Sequence, residues 1–183
     1  MNRLYGYAGV FASIVLIAFG AGALYMGFDG RDRVRDDLAR EQIVGTDDST
    51  IPGQKVDTGS EAQAFAAVMR KHTLEATGGQ TYAQMGRFLD ENGNPTSDEA
   101  AAAKDPKTGE PVENGLRNMW VTSTALSTAL NTAYFAESVA TFAIVMGVAL
   151  LLTGIGFLVL TARVLWPAGQ RAARSASAVP STT

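Results

Sequence analysis

Two charge-free apolar runs, residues 4–28 and 138–162, flank a polar middle section that holds every acidic residue of the chain. Each run has 25 residues, and a helix rises about 1.5 Å per residue, so each can cross a hydrocarbon core about 30 Å thick. The pattern predicts an all-α membrane protein, with two transmembrane helices in a hairpin and a mostly helical extracytoplasmic domain inserted between them. The predicted segments are a cytoplasmic N-terminus (1–3), transmembrane helix 1 (4–28), an acidic domain (29–137), transmembrane helix 2 (138–165) and a basic, disordered cytoplasmic tail (166–183).

The first half of the polar section contains two helical patterns. Apolar residues four apart predict that the first span continues as a helix over residues 30–44 and stops at Gly45. Ser60 followed by Gln63 has the spacing of a capping box and predicts the start of a second helix. This helix is expected to end at residue 77, before a glycine in the left-handed conformation, Gly78.

The second half leads into the second apolar run. Thr81 and Gln84 have capping-box spacing and predict a further short helix, whereas residues 90–115 are predicted to be a mobile, poorly buried insertion. From Leu116 a helix of roughly 50 residues is expected to continue into the second span without a break. Its packed stripe is predicted to be Met119, Thr122, Leu126, Leu130 and Ala133. No strand pattern is found.

The charges are divided between the segments. The section from Asp29 to Glu137 carries all 18 acidic residues and 11 of the 15 basic ones, a net charge of −7, whereas the termini carry only arginine. Because Lys and Arg concentrate on the cytoplasmic side, both termini are predicted to be cytoplasmic. The juxtamembrane arginines oppose this orientation, but loops longer than about 60 residues escape the rule. An acidic domain also argues against a nucleic-acid partner.

The first apolar run has an alternative interpretation as a cleaved signal peptide. Ala21, Gly22 and Ala23 fit the small-x-small pattern that precedes a cleavage site. The run is longer than the apolar core of a signal peptide, which usually has about 7–15 residues. The length therefore favours a retained transmembrane helix.

Residues suited to catalysis are scarce. The chain has no cysteine and a single histidine, His72, so it cannot alone supply metal sites that need two histidines or several thiolates. His72 and Glu75 are three residues apart on a predicted helix and form a candidate polar site, with a packed histidine as the alternative. No nucleophile elbow or phosphate-binding lysine loop occurs. The sequence predicts a protein that is not an enzyme and has no catalytic, metal-binding or cofactor-binding residues.

The apolar runs contain small residues four apart: Ala18 and Gly22 in the first, and Ala143 and Gly147 in the second. Such pairs allow helices to approach closely in lipid, so these four residues predict a packing seam between the spans or with a partner. The alternative is that they reflect only the ordinary composition of membrane-spanning helices. Neither run contains a charged residue, which argues against a transporter or pump acting alone. Glu137, just before the second run, is interpreted as the last solvated charge, the alternative being that it accepts a hydrogen bond from a partner or marks an interface.

The order of these features resembles a group of small two-span actinobacterial membrane proteins of unknown function. The resemblance covers most of the chain and is carried by MRKHTLEATGGQTYAQMGR at residues 69–87, above all by residues 72–79 with Thr81 and Tyr82. Some such proteins bear an automatic label of aromatic ring-opening dioxygenase. That chemistry needs two histidines and a carboxylate around iron, and only His72 is present. The resemblance implies a membrane location and an actinobacterial source, and no activity.

These features favour a non-catalytic accessory or scaffold subunit of a membrane protein complex, either respiratory or of the cell envelope. The expected partners are membrane lipid and a membrane protein or a second copy of the chain. The alternative is an extracytoplasmic sensor or small-ligand-binding protein, with residues 65–76 lining an apolar pocket. A third possibility is an enzyme that uses His72 and Glu75 at the membrane surface.

Overall fold

A computed structural model describes residues 2–165, with the side chains of residues 6–163. Helix α1 spans Asn2–Arg40, α2 spans Gly59–Ala76 and α3 spans Gly115–Leu160, followed by a π-helical turn at Thr161–Leu165. Strands β1 (Phe88–Leu89) and β2 (Pro95–Thr96) form a two-residue antiparallel pair. The protein is mostly helical, with two long apolar helices packed together and a short helix between them in the chain. The predicted tail over residues 166–183 lies outside the described residues.

The chain divides into two compact units. Within the described residues, the apolar unit comprises residues 2–33 and 138–165, and the polar unit comprises Val34–Glu137. Helices α1 and α3 contribute residues to both. The segments Gly6–Arg40 and Gly115–Arg163 are long and apolar enough to cross a membrane, as the apolar runs predict.

The polar unit has a small hydrophobic core where α2 packs against the end of α1 and the start of α3. The buried residues are Leu38, Val56, Ala62, Ala66 and Leu130, with Phe65 and Met69 partly buried around them. Helix α1 ends at Arg40, earlier than the predicted stop at Gly45, because Gln42 already has a left-handed φ of 53°. Val44 is then free to form a β-bridge with Lys55.

The N-terminal cap of α2 differs from the prediction. The capping residue is Thr58, whose hydroxyl accepts a hydrogen bond from the Glu61 backbone N–H at 3.4 Å, while the Glu61 carboxylate accepts one from the Thr58 N–H at 2.9 Å. Ser60 lies in the first turn, because Thr58 and Glu61 satisfy the capping pattern two residues earlier. At the other end, Gly78 has a φ of 62°, which confirms the predicted left-handed glycine.

The short helix predicted after Thr81 does not form. Gln84 Oε1 does accept a hydrogen bond from the Thr81 N–H at 2.8 Å, but this contact closes a turn. The chain then enters β1, so the prediction that no strand occurs was also wrong. Segment 90–115 pairs with this strand: the Leu89 N–H donates to Val112 O at 2.9 Å, and the Ala103 N–H donates to Leu89 O at 2.8 Å. Backbone pairing across the hairpin therefore organises a segment with few apolar residues; its mobility stays a prediction.

Helix α3 packs through a more polar face than predicted. Trp120, Ser123 and Leu130 are buried, whereas Thr122 is exposed and Leu126 is 41% exposed. The buried Ser123 hydroxyl lies 2.7 Å from the hydroxyl of Thr73 on α2. A polar residue can occupy this face because its hydrogen-bonding capacity is satisfied there.

Candidate functional site

The two helices of the apolar unit meet through small residues that recur every seven positions. All are buried: Gly6, Ser13, Gly20 and Gly27 of α1, and Ala140, Gly147, Gly154 and Thr161 of the α3 segment with its π-helical turn. A seven-residue repeat keeps one seam of each helix facing the other, as in a coiled coil. We call this contact the glycine seam.

The glycine seam brings the two backbones into direct contact. A Cβ atom added at Gly20 would lie 2.9 Å from the carbonyl oxygen of Gly147, and one added at Gly147 would lie 2.8 Å from that of Gly20. At Gly27 the added atom would lie 2.9 Å from the carbonyl oxygen of Ala140. Glycine is therefore required at these positions by the close approach of the two helices.

The residues predicted to form the packing seam are only partly in it. Gly147 lies in the contact and Ala143 is partly buried. Ala18 is exposed, and a Cβ at Gly22 would meet no atom within 4 Å, so neither lies in the contact between the two helices. Positions 18 and 22 are each two residues from Gly20, a rotation of about 200°, which places them on the opposite face of α1.

One hydroxyl in the glycine seam lacks a hydrogen bond. Thr161 Oγ1 is buried and has no partner among the described residues. It lies against Gly9, where an added Cβ would come within 2.5 Å of it. Thr161 therefore contributes shape to the contact, since its side chain fills the space that glycine leaves.

Among the described residues of the polar unit, Glu137 is the buried charged residue. It is 9% exposed and accepts a hydrogen bond from Arg35 Nε at 2.9 Å and another from the backbone N–H of Gly59. Gly59 opens α2, so the carboxylate meets the positive end of that helix. The interpretation of Glu137 as the last solvated charge was therefore wrong. Its isolation in the sequence, after 19 uncharged residues that follow Arg117, was the available signal.

His72 and Glu75, the predicted polar site, are not brought together. His72 Nε2 and Lys71 Nζ each lie 2.8 Å from Oδ2 of Asp48, while Glu75 lies 3.8 Å from Lys71. The hydrogen bond from Lys71, with that from His72, holds the pKa of Asp48 well below its usual range, and Asp48 raises the pKa of Lys71. Sequence reasoning missed Asp48 because it lies in a loop 24 residues from His72. The side chains are about half exposed, as in an ordinary surface ion pair.

A groove of about 380 Å³ lies between α2 and α3 in the polar unit. One face of α2 supplies four lining residues: Gln63, Ala66, Ala67 and Arg70. One face of α3 supplies six: Trp120, Ser123, Thr124, Ser127, Thr128 and Asn131. The lining combines the apolar surfaces of Ala66, Ala67 and Trp120 with amide and hydroxyl side chains, and it overlaps the helix face over residues 65–76 along which an apolar pocket was expected.

Arg70 dominates the electrostatics of the groove. Its guanidinium carbon lies 5.5 Å from the centre of the Trp120 ring, and the Trp120 indole N–H donates a hydrogen bond to Gln80 O at 2.9 Å. No carboxylate lines the groove. The arrangement places one guanidinium, stacked on a fixed aromatic ring, among neutral hydrogen-bonding groups.

No group of three His, Cys, Asp or Glu side chains able to hold a metal ion occurs within residues 2–165. Comparisons with known protein families, curated proteins and solved structures give no match for this chain. The resemblance to two-span actinobacterial proteins therefore stays a prediction, and the functional argument rests on the residues of the chain itself.

Proposed function

We propose that this chain is a two-pass membrane protein that serves as a non-catalytic accessory or scaffold subunit of a membrane complex, respiratory or of the cell envelope. The observation that carries the proposal is the exposure of apolar side chains along both long helices. In the most apolar window of each helix only 11% of the residues are buried by the chain. Phe19, Phe142 and Leu152 are 70%, 65% and 66% exposed.

Exposure of this extent distinguishes the two helices from the core of a water-soluble protein. A helix that is apolar on all sides is stable when lipid or another protein covers it. The glycine seam uses the small residues for the contact within the chain and leaves the large side chains outside. This arrangement supports a hairpin surrounded by lipid and by partner helices.

The basic termini support a cytoplasmic location for both ends of the chain. Because the chain has no cysteine, single cysteines report the orientation without background. With an extracytoplasmic polar unit, Lys107→Cys in intact cells reacts with a membrane-impermeant maleimide, and Ser175→Cys reacts only after permeabilisation. The reverse labelling pattern would contradict the orientation.

The absence of a catalytic role is part of the proposal. His72 is held by a surface aspartate, and Glu75 contacts Lys71 instead of His72. The apolar runs carry no charged residue, and the backbones of Gly20 and Gly147 touch, so the two helices alone do not form a polar pathway. A subunit that binds and positions other membrane proteins needs neither feature.

The accessory role is tested by purifying a tagged copy from its native membrane in mild detergent and identifying bound proteins by mass spectrometry. We expect a membrane protein in stoichiometric amount that is absent when an unrelated tagged two-span protein is purified in the same way. Recovery of the chain alone, or only with itself, would contradict the accessory role in a stable complex.

A second candidate function is that of an extracytoplasmic sensor or small-ligand-binding protein. The groove between α2 and α3 favours it, because Arg70 is an ionised group that no carboxylate in the groove neutralises. This function also fits a membrane anchor with a polar unit outside the membrane.

A further inference from the structure

The groove between α2 and α3 has the dimensions of a small-molecule site. Its volume of about 380 Å³ is within the range of about 300–1,000 Å³ that such sites occupy. The α2 residues of the groove are spaced by three, one and three positions, so they lie on one face of a single helix. Regular helices thus form both walls, and the polar side chains of Gln63, Arg70 and Asn131 on them are exposed.

The ionised side chain that lines the groove is positively charged. Arg70 is its only ionised side chain, and no Asp or Glu lies within 4.0 Å of the Arg70 guanidinium in the described part of the chain. This is notable in a section with 18 acidic residues. The Trp120 ring lies within cation–π distance of the guanidinium, and the N–H donors of the guanidinium suit a carboxylate or another planar anion.

Neutral hydrogen-bonding groups surround this cation. Asn131 Nδ2 donates to Ser127 O at 2.9 Å, which orients the side-chain amide and leaves its oxygen able to accept. The side chains of Gln63 and Thr128 make no hydrogen bond to another described residue, so their polar groups are available to a ligand. A ligand that carries hydroxyl groups as well as an anionic group matches this set of donors and acceptors.

We propose that the groove binds a small organic anion, with a carboxylate of the ligand on Arg70 and a hydroxyl group of the ligand on the amide of Gln63 or Asn131. The chemical class is that of small hydroxylated carboxylates. The inference does not depend on the accessory role, since co-purification of a partner and binding of a ligand are measured separately. A negative result here leaves the accessory role standing.

The binding test uses the full chain in detergent. The chain has two tryptophans, and the substitution Trp166→Phe leaves Trp120 as the single source of tryptophan fluorescence. Citrate and malate are titrated at constant ionic strength, with inorganic phosphate and glucose as comparators. Because Arg70 stacks on Trp120, binding should change the tryptophan fluorescence. We expect a saturable change with at least one of the two carboxylates, and a Kd at least about tenfold higher for phosphate and glucose.

Three variants identify the contact. Arg70→Ala should weaken binding by about tenfold or more, because a charge-assisted hydrogen bond is lost. Arg70→Lys should bind with intermediate strength, since it keeps the charge without the planar donors. Arg87→Ala is the matched control, because Arg87 stacks on Phe88 and does not line the groove, and it should bind as the parent does.

If neither carboxylate gives a saturable response, this ligand class is excluded. If phosphate binds equally well, the groove selects ligands by charge alone. Unchanged binding by Arg70→Ala, with a circular dichroism spectrum like that of the parent, places the ligand elsewhere.

Discussion

Replacing Gly147 with alanine tests whether the glycine seam holds the two long helices together. The added Cβ would lie 2.8 Å from Gly20 O and 2.9 Å from both the backbone nitrogen and Cγ of Leu24. Ordinary contacts of a Cβ begin at 3.4 Å. Two of the three neighbours are backbone atoms, so rotation of a side chain cannot relieve the clash, and the helices must move apart by several tenths of an ångström.

The size of the effect follows from two opposing contributions. Overpacking a close contact costs about 1–3 kcal/mol, and separation also weakens dispersion along the rest of the glycine seam. Alanine is favoured over glycine within a helix by at most about 1 kcal/mol. The clash therefore prevails, and we expect Gly147→Ala to lower the free energy of unfolding by about 1–2 kcal/mol.

The matched control is Gly22→Ala. Position 22 has no atom within 4 Å of an added Cβ, so only helix propensity changes, and stability should be unchanged or higher by up to about 1 kcal/mol. Both variants are measured as the full chain in mixed micelles, by reversible unfolding with increasing SDS followed by near-UV circular dichroism. A neutral Gly147→Ala, or a Gly22→Ala that destabilises equally, would refute the packing described here.

Three further predictions concern the polar unit, each measured by thermal unfolding of the full chain. Glu137→Ala should lower the free energy of unfolding by about 1–3 kcal/mol, because it leaves the half-exposed Arg35 and a buried helix N-terminus without their acceptor. Glu137→Gln should lower it less, and equal stability of the two variants would contradict this prediction. Thr58→Ala should cost about 1 kcal/mol and Ser60→Ala only a few tenths, whereas the sequence-predicted cap at Ser60 gives the opposite order. Asp48→Asn should destabilise the protein at pH 7, but less so at pH 3. The pKa of Asp48 is lowered in the folded state, so the contribution of its carboxylate to stability is complete above about pH 4, where the unfolded group is ionised. This contribution is progressively lost as the pH falls further. A difference between parent and Asp48→Asn that does not change with pH would contradict the ion-pair assignment.

The long helices could be predicted from the sequence because the signal extends over many residues. A largely apolar, charge-free run of 25 residues without proline fits a helix of spanning length whatever its neighbours are. The helix end at Gly78 was equally accessible, since the residue type and its conformation are linked directly. Both predictions depend on local chemistry alone.

The contacts between elements were less accessible because they depend on partners distant in the chain. His72 is paired with Asp48 and not with Glu75, since a loop brings the aspartate to the helix surface. Glu137 finds Arg35, which is 102 residues away. Spacing along one helix shows which side chains share a face, but it does not show what covers that face.

The glycine seam is an instructive intermediate case. The four-residue spacing of Ala18 and Gly22 led to the predicted packing seam. The seven-residue series of small residues through Gly20 and Gly147, which forms the observed contact, was present in the same sequence. Ala and Gly are frequent in apolar helices, so one pair carries little information, whereas a repeat over several turns in two helices carries much more. Counting the repeat would have identified the packed face.

The way α3 makes its contacts changes along its length and supports the proposed membrane placement independently of hydropathy. Up to Glu137 its buried contacts combine apolar packing at Leu130 with hydrogen bonds, such as those between Ser123 and Thr73 and between Arg35 and Glu137. From Ala140 onward they use close backbone approach at small residues. Shape-based contacts remain favourable in lipid, where burial of apolar area gives no driving force and a charged group is costly. If the hairpin lies in a bilayer as proposed, we expect the hydrocarbon region to begin between residues 137 and 140.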